Sequence, residues 1–172
     1  MNQKILRLIV IGVVVIGIVL AVFVNWIAGG IVAVIGAVLL FVLWRMNVIL
    51  GISEALAKDD MDEAKRRLAA VRNPQKLNDY SKTYYNFFKG IVDTRDNNFK
   101  EAEQSFKTSL EINRFRAPDE KATAHLMIAQ LLLRKRNRVG ATRHLKEAKD
   151  LAKNQQIHEQ IKTLVKQQRL KL

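Results

Sequence analysis

Two uncharged apolar runs open the chain, and amphipathic helical periodicity fills the rest. Leu8–Val24 and Ile27–Trp44 contain no charged residue. Each lies close to the about 17–25 residues that a helix needs to cross a hydrocarbon core. Asn25–Gly30, the break between them, is too short for a domain and long enough to reverse the chain. The pattern predicts a helical hairpin within residues 1–45 that enters and leaves a bilayer on one side. Further on, the apolar positions recur as Ala64, Leu68, Val71, then Ala102, Phe106, Ser109, then Ala141, Leu145, Ala148. Small, large apolar, then small or apolar at i, i+4 and i+7 is one stripe of a helix. The stripes start 38 and 39 residues apart. A helical period of that size predicts a solenoid, because one helical hairpin cannot bury its own stripe.

Each stripe needs a partner helix, and the preceding segments supply them at roughly 46–58, 79–95 and 119–135. Asp60 with Glu63, and Asn98 with Glu101, have the spacing of capping boxes, and Asn137 is a candidate cap for the third stripe. Pro74 and Pro118 punctuate the chain, since proline cannot continue a helix interior. Residues 156–170 carry Ile157, Ile161, Leu164 and Val165 on one stripe of an otherwise polar helix, as expected of a solenoid cap. The expectation is an all-α chain: a transmembrane hairpin over 1–45, then a helical-repeat domain over 46–172. Its repeats fall at 46–73, 79–113 and 119–153, with the cap at 156–170. Gly51 is the weak point between the second span and the first repeat helix, costing about 1 kcal/mol relative to Ala.

Charge orients the hairpin. Lys4 and Arg7 precede the first span and Arg45 follows the second, while the turn between has no charge. Basic residues stay on the cytoplasmic side, so both ends are expected there, with the chain a multi-pass protein of the cell (inner) membrane. Trp26 and Trp44 sit at span ends, where indole prefers the interface. A cleaved signal peptide over residues 1–28 is the rival reading; the second apolar run and the length of the first argue against it. Gly17 and Ala21, and then Gly29, Ala33 and Ala37, recur at i+4 and would let backbones approach closely. Those rows fit packing inside the hairpin or between two copies, so a homo-oligomer stays open. Residues 45–172 carry 27 of the 29 Lys and Arg and all 16 Asp and Glu, a net +11. The absence of cysteine excludes a disulfide scaffold and a thiolate metal site.

Tyr85 through Asn113 resembles the tetratricopeptide repeat family. Gly90, Phe99, Ala102, Phe106 and Ser109 hold the family's places for a close helix crossing, an aromatic after the turn, and an inward ladder. Ala129, Ala141, Leu145 and Ala148 keep the pattern in the third repeat, with Arg138 where the aromatic belongs. Ala64 and Leu68 keep it in the first, with Ile52 where the small residue belongs. The periods exceed the family's 34 residues and imply longer inter-repeat loops. The resemblance implies that the first helix of each pair lines a concave groove. Lys58, Arg95 and Arg134 would form a basic column there, beside Ile91, Gln130, Phe87 and Leu126. Such a groove suits an extended or helical protein segment with acidic and apolar anchors. Attraction of cations to helix C-termini explains the same column without a ligand.

No catalytic constellation emerges. His158-Glu159 opens like a zinc-protease motif, but Lys162 stands where the second ligand belongs. His125 and His144 lack a third ligand at metal spacing, and no phosphate loop, nucleotide-binding fingerprint or nucleophile elbow occurs. No enzyme activity, cofactor or metal is expected. The expected role is a membrane-anchored adaptor whose repeats bind a protein partner, anchoring raising the local concentration. Two alternatives remain. One is a structural subunit assembled through the hairpin. The other is a basic domain on an anionic membrane surface, with the Arg134–Arg138 turn touching headgroups. The positive charge raises nucleic acid as well, but the basic residues are spread over all helices without stacking platforms.

Overall fold

A computed structural model describes Gly12, Val15, residues 34–36, Val38 and residues 49–170. The chain divides into two compact units, Met1–Leu50 and Gly51–Leu172. Every described residue of the first unit is helical. Among the described residues no helix is long and apolar enough to cross a membrane. The two expected spans fall almost wholly outside the described residues, as do Gly17, Ala21, Gly29, Ala33 and Ala37.

The second unit contains helices and no strands among its described residues. Helix α1 covers 51–57, α2 Met61–Ala69, α3 Asp79–Arg95, α4 Phe99–Ile112, α5 Pro118–Arg134, α6 Arg138–Leu151 and α7 Gln155–Gln167. A 3-10 turn, Pro74–Lys76, precedes α3. Helix α3 pairs with α4 and α5 with α6, and α7 packs on the last pair. Helix α1 turns into α2 through the Asp60–Ala55 hydrogen bond, with Gly51 facing Arg67.

Three equal turns close the pairs. Asp59, Asn97 and Arg136 take left-handed backbone at φ 55°, 64° and 60°. They stand 38 and 39 residues apart, the period of the apolar stripes. After each, an N–H reaches the carbonyl five residues back: Asp60 to Ala55 (2.9 Å), Asn98 to Asp93 (2.8 Å) and Asn137 to Leu132 (2.9 Å). This is the Schellman closure of a helix end. Left-handed backbone costs a residue with a Cβ about 1–2 kcal/mol, and the short polar side chains of Asp and Asn soften that cost. Arg136 lacks this relief.

The closure also alters the expected caps. Asp60 Oδ1 accepts from the Glu63 N–H at 3.0 Å, and Asn137 Oδ1 from the Gly140 N–H at 2.9 Å. The reciprocal half of the Asp60–Glu63 box is missing, because the Asp60 N–H is already spent on Ala55. Glu63 pairs with Arg66 and Arg67 instead. Asn98 makes no side-chain cap, and only its carbonyl engages the helix, accepting from Ala102.

The stripes form the core. Ala64, Ala102, Ala141, Phe106 and Leu145 are fully buried, as are Ile52 and Ala129 opposite them. At Gly90 the helices cross closely: an added Cβ would lie 2.8 Å from the Phe106 ring. Gly51, the expected weak point, is helical, and its missing side chain leaves room for the Arg67 guanidinium. The first stripe is cut short. Helix α2 ends at Ala69, so Val71 lies beyond it, half-buried.

Polar locks join successive pairs. The Tyr84 hydroxyl on α3 donates to Glu120 on α5 and accepts the Arg116 N–H at 2.8 Å. The Glu120 carboxylate also accepts the Arg116 and Ala117 N–H groups at 3.1 and 3.2 Å. Glu103, buried on α4, takes Lys107 and Lys135, each at 2.6 Å. Burial pushes its carboxyl up, but the two ammonium groups win and hold it below the usual range. The Asp119 carboxylate accepts the N–H groups of Lys153 (2.6 Å) and Asn154 (3.0 Å), fixing the start of α7 against the start of α5. Those two donors lower its pKa.

Candidate functional site

Phe87 and Leu126, expected on an open groove, are core residues at 7% and 2% exposure. Phe87 stands edge-on to Phe106 and Phe115, with ring centres 5.9 Å away in both cases. The aromatic stack between the second and third pairs claims the face that the groove would need. Ile91 and Gln130 are half-buried, and Lys58, Arg95 and Arg134 are exposed. Two members of the basic column reach back to the preceding pair. Arg95 pairs with Asp59 at 3.3 Å, and the Arg134 guanidinium lies 4.2 Å over the Phe99 ring. Both ends of the Arg95–Asp59 contact are largely exposed. Such a surface pair is worth at most about 1 kcal/mol, and the stacked Arg134 about 0.5–1.

A different concavity has the shape of a binding site. A cleft of about 400 Å³ lies between α3 and α4, with Pro74 and Gln75 on its rim. Lys82, Tyr85 and Lys89 line one wall, and Glu101, Gln104 and Thr108 the other. Both sets run i, i+3, i+7, one face of a helix apiece. Its origin is the length of α2. That helix has nine residues, against fourteen each in α4 and α6. The missing five residues amount to about 7.5 Å of helix. Helix α2 reaches the α3–α4 turn at its middle, where Lys65 meets Asp96 at 2.6 Å. It stops before covering the N-terminal half of α3, and the cleft is what remains open.

Lys89 is paired with Asp93 at 2.5 Å, whereas the Lys82 ammonium has no partner among the described residues. Burial raises the Tyr85 phenol pKa, with Lys89 opposing. The sequence reading missed this site. Its signal was the early break at Asn73-Pro74, only a few residues after Leu68, where the other stripes run on.

His125 on α5 and His144 on α6 form a second cluster, Nδ1 to Nδ1 at 3.0 Å. One nitrogen donates and the other accepts. Burial first, then His144, Lys121 and Arg143, push the His125 pKa down to about 4. Burial also lowers His144, followed by Arg143 and Lys107. Among the described residues no three His, Cys, Asp or Glu side chains group as a metal site. The pair sets a pH dependence. Unfolded imidazole titrates near 6.5, so between about pH 6.5 and 4 the unfolded chain binds the extra protons. Stability therefore falls as pH drops through that window and is level above it. Discounted for a half-exposed ring, the loss between pH 7.5 and 5 should be about 1–2 kcal/mol. Urea midpoints of the chain and of His125→Asn at the two pH values check this, the variant showing the smaller change.

The chain matches no family model, no curated protein and no solved structure.

Proposed function

We propose that this protein is a membrane-anchored helical-repeat scaffold, with residues 1–45 as a two-span hairpin and tetratricopeptide-like helix pairs on the cytoplasmic side. The pairs hold a partner protein, and the seat is the cleft between α3 and α4 rather than the basic column. The observation that carries the reading is the short α2. The solenoid presents a helix-sized gap where its own second helix would lie, walled by two parallel helical faces. A partner helix completes the stack by laying one face into that gap. The partner's face is polar with a carboxylate for Lys82, since the walls offer lysines, a phenol and amides rather than an apolar trough. Anchoring makes such a contact effective, because a tethered site meets membrane-bound partners at high local concentration.

Photo-crosslinking residues at Tyr85 and Gln104, in the full chain in its native membranes, test this. The expected result is one partner joined at both positions, through residues three or four apart on a single helix. Lys82→Glu should lower the yield about tenfold, the loss of a charge-assisted contact. A crosslinker at exposed Glu111, outside the cleft lining, should give no such product. Equal yields from all three positions, or indifference to Lys82→Glu, would overturn the assignment of the cleft.

A further inference from the structure

The turn that closes the third helix pair departs from the other two at three successive places. Asp59 and Asn97 hold the left-handed position in the first two turns, and Arg136 holds it in the third. Two residues later the second turn has Phe99, tucked beneath Arg134. The third has Arg138, whose guanidinium donates to the Gln168 carbonyl and, at 3.1 Å, to that of Arg169. Next, where Asp62 and Lys100 stand in the other pairs, comes Val139 at 85% exposure. Among the described residues of the second unit it is the one large apolar side chain so exposed.

The Arg138 contacts bring the end of α7 to this turn, so Lys166 and Arg169 join Arg136 and Arg138. Arg134 through Lys146 contains six Lys and Arg and no acidic residue. Gln160 through Leu172 contains four and no acidic residue. Lys135 is paired with Glu103. Arg136, Arg138, Lys166 and Arg169 make no ion pair among the described residues. These four cations lie on the two segments that meet at Arg138, next to one protruding aliphatic side chain, and such a set has a specific complement. Phosphates satisfy the cations, and the apolar tip enters the boundary between headgroups and acyl chains. Nucleic acid would satisfy the cations but leave Val139 in water, and the Phe99 ring beside this turn is already covered by Arg134 rather than open for a base to stack on.

We propose that this tip, Arg136, Arg138 and Val139 with Lys166 and Arg169, docks on an anionic lipid bilayer surface. The inference stands on the tip alone and does not depend on residues 1–45 spanning a membrane. The chain has no cysteine, so Val139→Cys gives a single site for an environment-sensitive dye. The full chain is presented with bilayers of phosphatidylcholine alone or of phosphatidylcholine with phosphatidylglycerol. The expected result is a blue-shifted, brighter dye only with the anionic lipid, reversed by high salt. Arg136→Glu with Arg169→Glu should weaken the response at least about fivefold, the effect of losing one close cation. The same dye at Glu111→Cys, near the C-terminal end of α4 in the neighbouring pair, should not respond. Equal emission with both bilayers would overturn the proposal. So would a response to a single-stranded oligonucleotide that the anionic bilayer does not elicit.

Discussion

Gly90→Ala should destabilise the folded chain by about 1–3 kcal/mol, although it replaces a helical glycine by the best helix former. The new methyl would sit 2.8–2.9 Å from three atoms of the Phe106 ring. That ring is fully buried and flanked by Phe87, so it has nowhere to move. Overpacking outweighs the gain of about 1 kcal/mol in helix propensity. Phe106→Ala should cost about 3–5 kcal/mol by leaving a cavity at the same crossing. The decisive result is the combination. With Phe106 gone the methyl enters vacant space, so Gly90→Ala in the Phe106→Ala background should stabilise by up to about 1 kcal/mol. A reversal of sign between backgrounds is the signature of direct contact. Denaturant midpoints of the four proteins measure it. The same sign in both backgrounds would mean that α3 and α4 do not cross at Gly90.

What made this crossing legible in the sequence was its chemistry. Gly90, Ala102 and Phe106 hold the small, small and large places of the repeat pattern that this segment resembles, and that resemblance is what implies a close crossing. The turns were legible through Asp60, Asn98 and Asn137, short polar residues that are expected to cap the helices after them. The caps were read only in part. The Schellman bond from Asp60 to Ala55 consumes the donor that Glu63 would have capped, a competition between two local motifs that spacing cannot rank. The groove failed differently. Phe87 and Leu126 were placed by their register on the first helices, but register does not say which aromatic rings the neighbouring pair supplies. Phe115, in the loop after α4, takes up Phe87 from outside either helix. The cleft was hidden in an absence, the residues that α2 lacks. The joined tip of Arg138 and the end of α7 was hidden in a contact spanning 30 residues.

Glu120→Ala should cost about 2–3 kcal/mol. Its carboxylate is the acceptor for the Tyr84 hydroxyl and for the N–H groups of Arg116 and Ala117. Truncation strands the Tyr84 hydroxyl and the Ala117 N–H at the junction of the second and third pairs, while the Arg116 N–H keeps the Tyr84 oxygen as acceptor. A stranded buried donor costs its desolvation, about 1–3 kcal/mol, and hydrogen bonds to a charged group are the stronger kind. Water reaches the partly exposed backbone donors and limits the total. Glu120→Gln keeps an acceptor oxygen and should lose about half as much. Tyr84→Phe alone should cost about 1 kcal/mol. Added to Glu120→Ala it removes the stranded hydroxyl but takes the last acceptor from the Arg116 N–H, which water can reach, so the further cost should be smaller than that of Tyr84→Phe alone. Glu101→Ala, an exposed carboxylate on the cleft wall, should stay within about 0.5 kcal/mol. Amide exchange adds a local reading: Arg116 and Ala117 should exchange faster in Glu120→Ala while Ala102, deep in the second pair, keeps its protection. If Tyr84→Phe and Glu120→Ala prove additive, the hydroxyl and the carboxylate are not partners, and the aromatic stack of Tyr84, Phe87 and Phe115 with the Glu103–Lys135 pair holds the second pair to the third.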